Sequence, residues 1–104
     1  MIKFLDLGRQ YRLLQKEIDQ AIKAVIDDTA FIGGKYVTTF EKEFSEYSHV
    51  KNCIGVGNGT DALEIAIESL SLPQNSEIIV PANSFIASSE AVTRTGHKVV
   101  FADV

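Results

Sequence analysis

Asn52-Cys-Ile-Gly-Val-Gly-Asn-Gly-Thr-Asp-Ala62 decides the fold. Its first half, Asn52 to Val56, is short, apolar and uncharged, the pattern of a buried strand. Gly57-Asn-Gly59 breaks that run, and Thr60 to Leu70 then places Leu63, Ile67 and Leu70 on one helical face, joined by Ala62 and Ala66. A strand that passes through glycines directly into a helix is the opening of an α/β unit. Downstream, Leu72-Pro73 stops the helix, because proline cannot continue the ladder and disfavours helix in the residue before it. Glu77-Ile-Ile-Val80 reads as a second buried strand closed by Pro81, Ser84 to Thr95 as a helix with Gly96 just past its end, and Lys98-Val-Val-Phe101 as a third strand.

Upstream the period is helical. Tyr11, Leu14, Ile18, Ala21 or Ile22, and Val25 form one stripe between Arg9 and Asp28, with Lys16, Glu17, Asp19, Gln20 and Lys23 outside it. Phe31-Ile-Gly-Gly34 is a loop. Thr38-Thr-Phe-Glu41 has the spacing of a capping box at a helix start, and Val37, Phe40, Phe44 and Tyr47 continue at helical spacing to an end near His49. The expected fold class is therefore α/β: leading helices followed by a strand-helix-strand-helix-strand portion of a sheet, parallel wherever a crossover joins neighbours. No internal repeat, low-complexity tract or linker interrupts residues 1–104, which read as one continuous unit. Phe101-Ala-Asp-Val104 falls in a strand and its exit, so the 104 residues are expected to be the front of a longer protein.

Composition removes several classes. With 45% hydrophobic and 23% charged residues the chain has a globular make-up, and ten Lys+Arg against fourteen Asp+Glu leave a net charge of −4. That balance lacks the basic stripe of a nucleic-acid binder. No apolar run approaches the ~20 residues of a membrane helix. Met1-Ile-Lys-Phe-Leu-Asp6 is charged too early for a secretory leader, and the single Cys53 excludes a disulfide framework. Cytoplasm is the expected compartment.

The glycine turn is also the expected site of chemistry. The first amides of a helix have no internal partner, and its dipole adds partial positive charge at the same spot. Glycines admit a ligand close to the backbone, and the Thr60 hydroxyl can donate one more hydrogen bond, which makes an anion site suited to phosphate. The competing reading is a glycine-eased turn with Asn58 or Thr60 as an ordinary cap; spacing alone leaves both open. Gly59-Thr-Asp61 lacks the lysine of a P-loop, and the sixth position of a dinucleotide fingerprint counted from Gly55 is Thr60 instead of glycine. A glycine–glycine–threonine variant of that fingerprint, with Glu77 as ribose partner, stays open.

Asn83, Ser84 and Phe85 follow the strand closed by Pro81, and ligands in open α/β sheets gather beyond the carboxyl ends of strands. Phe85 there is either a flat apolar face for a heteroaromatic ring or a core phenylalanine. His49 and His97 belong to no ligand-spaced cluster, so no metal is expected. Cys53 reads as a packed thiol, and Lys3, Lys16, Lys23, Lys35, Lys51 and Lys98 as solvated charges.

Phe4-Leu-Asp-Leu-Gly-Arg-Gln-Tyr11, Phe31-Ile-Gly-Gly34, Phe40-Glu41, Ile54 to Leu63 and Val80-Pro-Ala-Asn-Ser-Phe85 together resemble, in order and spacing, the start of the DegT/DnrJ/EryC1/StrS sugar aminotransferases. The resemblance implies a fold-type-I pyridoxal 5'-phosphate enzyme, with residues 1–104 as the N-terminal part of its large, cofactor-binding domain. It implies that Asn58, Gly59, Thr60 and Asp61 form the turn holding the cofactor phosphate, and that Phe85 stacks on the pyridine ring. It further implies transfer of an amino group from glutamate to a nucleotide-linked keto sugar, for which the opening motifs look most like members acting on dTDP-keto-6-deoxyhexoses in cell-surface polysaccharide or related glycan biosynthesis. A homodimer with the Phe31–Gly34 loop near its interface is implied as well. No lysine here matches the family's Schiff-base position, so no catalytic residue is carried over and these residues alone are expected to be inactive. A dehydratase of the same family, a non-catalytic phosphate-binding regulator and a nucleotide-binding oxidoreductase are the alternatives.

Overall fold

The computed structural model describes residues 4–104, so the leader reading at Met1 to Lys3 lies outside the described residues. The chain divides into two compact units, Met1–Ile54 and Gly55–Val104.

The first unit carries helix α1, Leu7–Asp27, and helix α2, Lys35–Tyr47. Asp6 caps α1, its carboxylate accepting the Arg9 amide at 2.9 Å, which satisfies one of the orphan donors of the first turn. At the other end Thr29 adopts φ 50°, and the Thr29 and Ala30 amides bond back to Ile26 and Val25, closing the helix with a Schellman pair. Helix α2 ends in the same way, with His49 at φ 54° and the His49 and Val50 amides on Glu46 and Ser45. The expected capping box is not formed. Helix α2 starts earlier, after Gly34 at φ 82°, so Thr38 already lies inside the helix and its hydroxyl bonds to the Gly34 carbonyl at 3.2 Å. Glycine at that positive φ sets the entry where threonine spacing placed it one turn later. Phe40 and Phe44 stack along α2 with ring centroids 5.5 Å apart. The apolar stripe of α1 is present, but neither helix buries a side chain.

The second unit runs α3, Gly59–Ser69; β1, Glu77–Pro81; α4, Ile86–Arg94; β2, Lys98–Ala102. Strands β1 and β2 pair in parallel, in register from Glu77 opposite Lys98 to Pro81 opposite Ala102. Lys98 donates to the Ser76 carbonyl and Ala82 to the Ala102 carbonyl, extending the ladder at both ends. Helix α4 bridges the two strands and packs on both, and α3 packs on α4. Val80, Ala91 and Val92 form the buried core, one residue from the sheet and two from α4. Gly96, at φ 79°, turns α4 into β2, with the Gly96 and His97 amides on Thr93 and Val92. The His97 side chain is buried, with Nδ1 unpartnered.

One expected strand is corrected. Asn52–Val56 is not in a ladder; the sheet of the described residues has two strands. An apolar run can favour extended backbone, but strand pairing needs a neighbour's amides and carbonyls, which β1 and β2 give to each other.

Candidate functional site

The turn before α3 is built around Asn58. Its backbone is fully extended (φ −164°, ψ 177°), which aims its side chain back over the first helical turn. Asn58 Oδ1 accepts the Asp61 amide at 3.0 Å, while Asn58 Nδ2 donates to Asp61 Oδ2, also at 3.0 Å. The Ala62 amide bonds to the Asn58 carbonyl. Asn58 is thus the helix cap, as one of the two sequence readings had it. The Asp61 amide, expected to serve an anion, is donated to this cap.

Gly59 and Thr60 remain. Their amides have no acceptor among the hydrogen bonds of the described residues, and a Cβ built at Gly59 would meet nothing within 4 Å. Two convergent main-chain donors, the Thr60 hydroxyl and open space above Gly59 are the parts of an oxyanion seat at the positive end of a helix dipole. The Asp61 carboxylate would repel an anion there, and it is held aside by Asn58. Gly57 makes room for it: a Cβ at that position would stand 2.6 Å from Asp61 Oδ2. Only Arg94 and Lys98 are cationic among residues 55–104, against six carboxylates, so attraction of an anion to this unit rests on the amides and the dipole.

Phe85 occupies the N-cap position of α4 just beyond the carboxyl end of β1, at φ −67° and ψ 149°. Its ring is 78% exposed within residues 4–104, open to a ligand or to a further part of the domain. The adjoining turn is fixed by the Ser84 amide on the Pro81 carbonyl and by a 2.7 Å contact between the Ser84 and Ser88 hydroxyls. Asn58, Gly59, Thr60 and Asp61 therefore share one turn, while Phe85 starts a different helix that packs on the first. Between those helices Arg94 Nε lies 2.7 Å from Glu64 Oε1. Sequence reading missed this pair, since opposite charges thirty residues apart carry no local signal.

A second polar cluster sits in the other unit. Lys35 Nζ and the Tyr36 hydroxyl both reach Asp28 Oδ2 at 2.6 Å, tying the two ends of the Thr29–Gly34 loop. Those two donors hold the Asp28 carboxyl below its ordinary pKa, and their hydrogen bonds to Asp28, with its charge as a lesser cause, raise both the Lys35 ammonium and the Tyr36 phenol. Lys35 is thus an ion-paired lysine, more than the solvated charge expected of it. Cys53 is a half-buried free thiol. Among the described residues no group of histidine, cysteine and carboxylate side chains could hold a metal, and no helix is long and apolar enough to cross a membrane.

A parallel βαβ unit preceded by a helix with open amides at its start defines the class: part of an α/β domain. The family follows from comparison, for residues 12–104 match the DegT/DnrJ/EryC1/StrS aminotransferase family and the chain belongs to it. It is 43% identical over 96 residues to dTDP-3-amino-3,6-dideoxy-alpha-D-galactopyranose transaminase of Aneurinibacillus thermoaerophilus, covering 92% of this chain and 26% of that protein. Its fold is similar to S. venezuelae DesV in complex with a ketimine intermediate, with TM-score 0.90, 37% identity, and coverage of 98% of this chain and 28% of the other. It is also similar to NtdA from Bacillus subtilis with bound cofactor PMP, with TM-score 0.88, 33% identity, and coverage of 99% and 24%. The chain thus spans about a quarter of the length of these relatives.

The family's cofactor is pyridoxal phosphate or its pyridoxamine form. The residues fit such a group. Gly59 and Thr60 offer two unpaired amides and a hydroxyl that could hold a phosphate, and Phe85 offers an exposed ring that could meet a heterocycle.

Proposed function

We propose that residues 1–104 are the N-terminal part of the cofactor-binding domain of an aminotransferase that moves an amino group from glutamate to a nucleotide-linked keto sugar, working as a homodimer. The observation that carries this reading is the pair of unpaired amides at Gly59 and Thr60 beside a carboxylate that Asn58 holds away. In this reading the Gly59 and Thr60 amides and the Thr60 hydroxyl grip the cofactor phosphate. Asn58 fixes the turn and keeps Asp61 from competing with the anion. Phe85 sets the plane of the pyridine ring and shields one face from water. When bound, the cofactor supplies the electron sink that lets an amino group leave one substrate and join the keto group of another. The similarity to a dTDP-sugar transaminase supports a keto-6-deoxyhexose carried on dTDP as substrate.

The test uses the full-length protein loaded with pyridoxal phosphate. Glutamate and a dTDP-linked keto-6-deoxy sugar together should yield 2-oxoglutarate and an amino sugar, each dependent on the other substrate. Thr60→Val should weaken cofactor binding roughly tenfold, the scale of one lost hydrogen bond to a charged group. Absence of any amino-sugar product, or an unchanged cofactor Kd in Thr60→Val, overturns the reading.

A further inference from the structure

We infer that Glu64 and Arg94 are positioning residues: a charged strut between α3 and α4 that sets the spacing between the phosphate-holding turn and Phe85. The inference rests on reading Asn58–Asp61 and Phe85 as the two halves of the cofactor seat.

Those halves belong to different helices. Thr60 lies one turn before Glu64 on α3, and Phe85 is the cap of the helix that ends at Arg94. No hydrogen-bonded ladder joins two helices, so their relative position is set by side chains alone. Ala91 and Val92 contribute buried apolar surface on α4, whose attraction is non-directional. Glu64 differs. Its side chain is only 18% exposed and its Oε1 is shut off from water, so the charge demands a cation at a fixed place. Within residues 55–104 the choice is Arg94 or Lys98, and Arg94 Nε is the group found, 2.7 Å away in a close ion contact. Helical side chains lean toward the N-terminus, so Arg94 reaches back along its own helix to do this. Glu90 Oε1, one turn earlier on α4, lies 3.8 Å from Arg94 Nη1 and keeps the guanidinium on that side.

A part-buried ion pair adds little to stability compared with apolar side chains of the same size, but it does select one arrangement of the elements that carry it. Removing the pair should therefore disturb the site more than the fold.

The experiment compares the full-length protein with Glu64→Leu/Arg94→Met, with the exchanged pair Glu64→Arg/Arg94→Glu, and with Arg94→Lys. Three quantities are read: the Tm of the apoprotein, the Kd for pyridoxal phosphate, and the visible circular dichroism of the bound cofactor, which reports how its ring is held. The apolar pair should keep the apoprotein Tm, weaken cofactor binding roughly tenfold and change the dichroism. The exchanged pair should recover most of the affinity and the spectrum. Arg94→Lys, the mildest change, should fall between. Wild-type Kd and dichroism in the apolar pair and in Arg94→Lys would overturn the strut. An affinity that falls only in proportion to Tm across all three would overturn it too, as a merely structural contact. Thr60→Val separates the layers: if it loses cofactor while the strut variants do not, the strut is wrong and the phosphate turn stands. If it binds normally, both fail.

Discussion

Asn58 and Asp61 hold each other twice, amide to side-chain oxygen and side-chain amide to carboxylate, both at 3.0 Å. The first bond is an ordinary helix cap. The second has a different effect, since it fixes a negative charge beside the open amides of Gly59 and Thr60 and keeps it from filling them. Asn58 serves both, because its side chain accepts and donates at once; serine or aspartate would cap but could not hold the carboxylate in the same way.

Gly57 is the seat of that carboxylate. In Gly57→Ala the added methyl would stand 2.6 Å from Asp61 Oδ2, so the carboxylate must swing away from Asn58. Cofactor binding by the full-length protein should weaken about tenfold in an absorbance titration, as two anions then compete for the same donors. Removing the carboxylate as well, in Gly57→Ala/Asp61→Ala, should restore much of the loss. An unchanged Kd in the single variant would show that the carboxylate moves without reaching the amides.

Phe85 separates binding from stability. Because its ring is exposed, Phe85→Ala should leave the apoprotein Tm nearly unchanged, within about 0.5 kcal/mol. Cofactor affinity should fall by about 1 kcal/mol, the worth of one stacked ring, and Phe85→Tyr should retain it. A large drop in Tm would return Phe85 to the core.

Thr29 is a β-branched residue at φ 50°, where only glycine is at ease. Thr29→Gly should stabilise the fold by about 1 kcal/mol, less the extra freedom glycine brings to the unfolded chain. Thermal unfolding reads the sign. A lower Tm would mean that the Thr29 side chain contributes more than its backbone costs.

Asp28 gives a pH signature. Lys35 and Tyr36 hold its folded-state pKa below the ordinary value, so its contribution is complete above about pH 4. It is lost as pH falls through the lowered folded-state value. Asp28→Asn should therefore lower stability at neutral pH and flatten the acid limb of the stability curve. Parallel acid limbs for the two proteins would remove Asp28 from the account.

How much of this could be read in the residues depended on range. Helix α3 and its start at the Gly57–Gly59 break were legible because each is a local matter of glycine and period, and the cap was narrowed to Asn58 or Thr60. The same holds for Gly96 after α4 and for the parallel pair around Ile79 and Val100. Thr38 misled: its spacing to Glu41 is that of a capping box, but Gly34 begins the helix first. Asn52–Val56 misled for another reason, since its pattern describes a burial that needs neighbours. Phe85 had two readings because spacing marks an apolar ring without saying what covers it. Glu64–Arg94 and the pairing of Asp28 with Lys35 and Tyr36 were invisible, as each depends on where a turn or crossover delivers a charge.

The three buried apolar side chains among the described residues, Val80, Ala91 and Val92, all belong to β1 and α4, and β2 closes onto them through neighbouring contacts. That arrangement makes β1–α4–β2 the cooperative kernel of the second unit. Its ladder amides, those of Val80 and Val100 above all, should be the slowest to exchange with solvent, and the Gly57–Asp61 turn should open well before them. The ligand would thus bind to the softest end of the unit and tighten it on arrival.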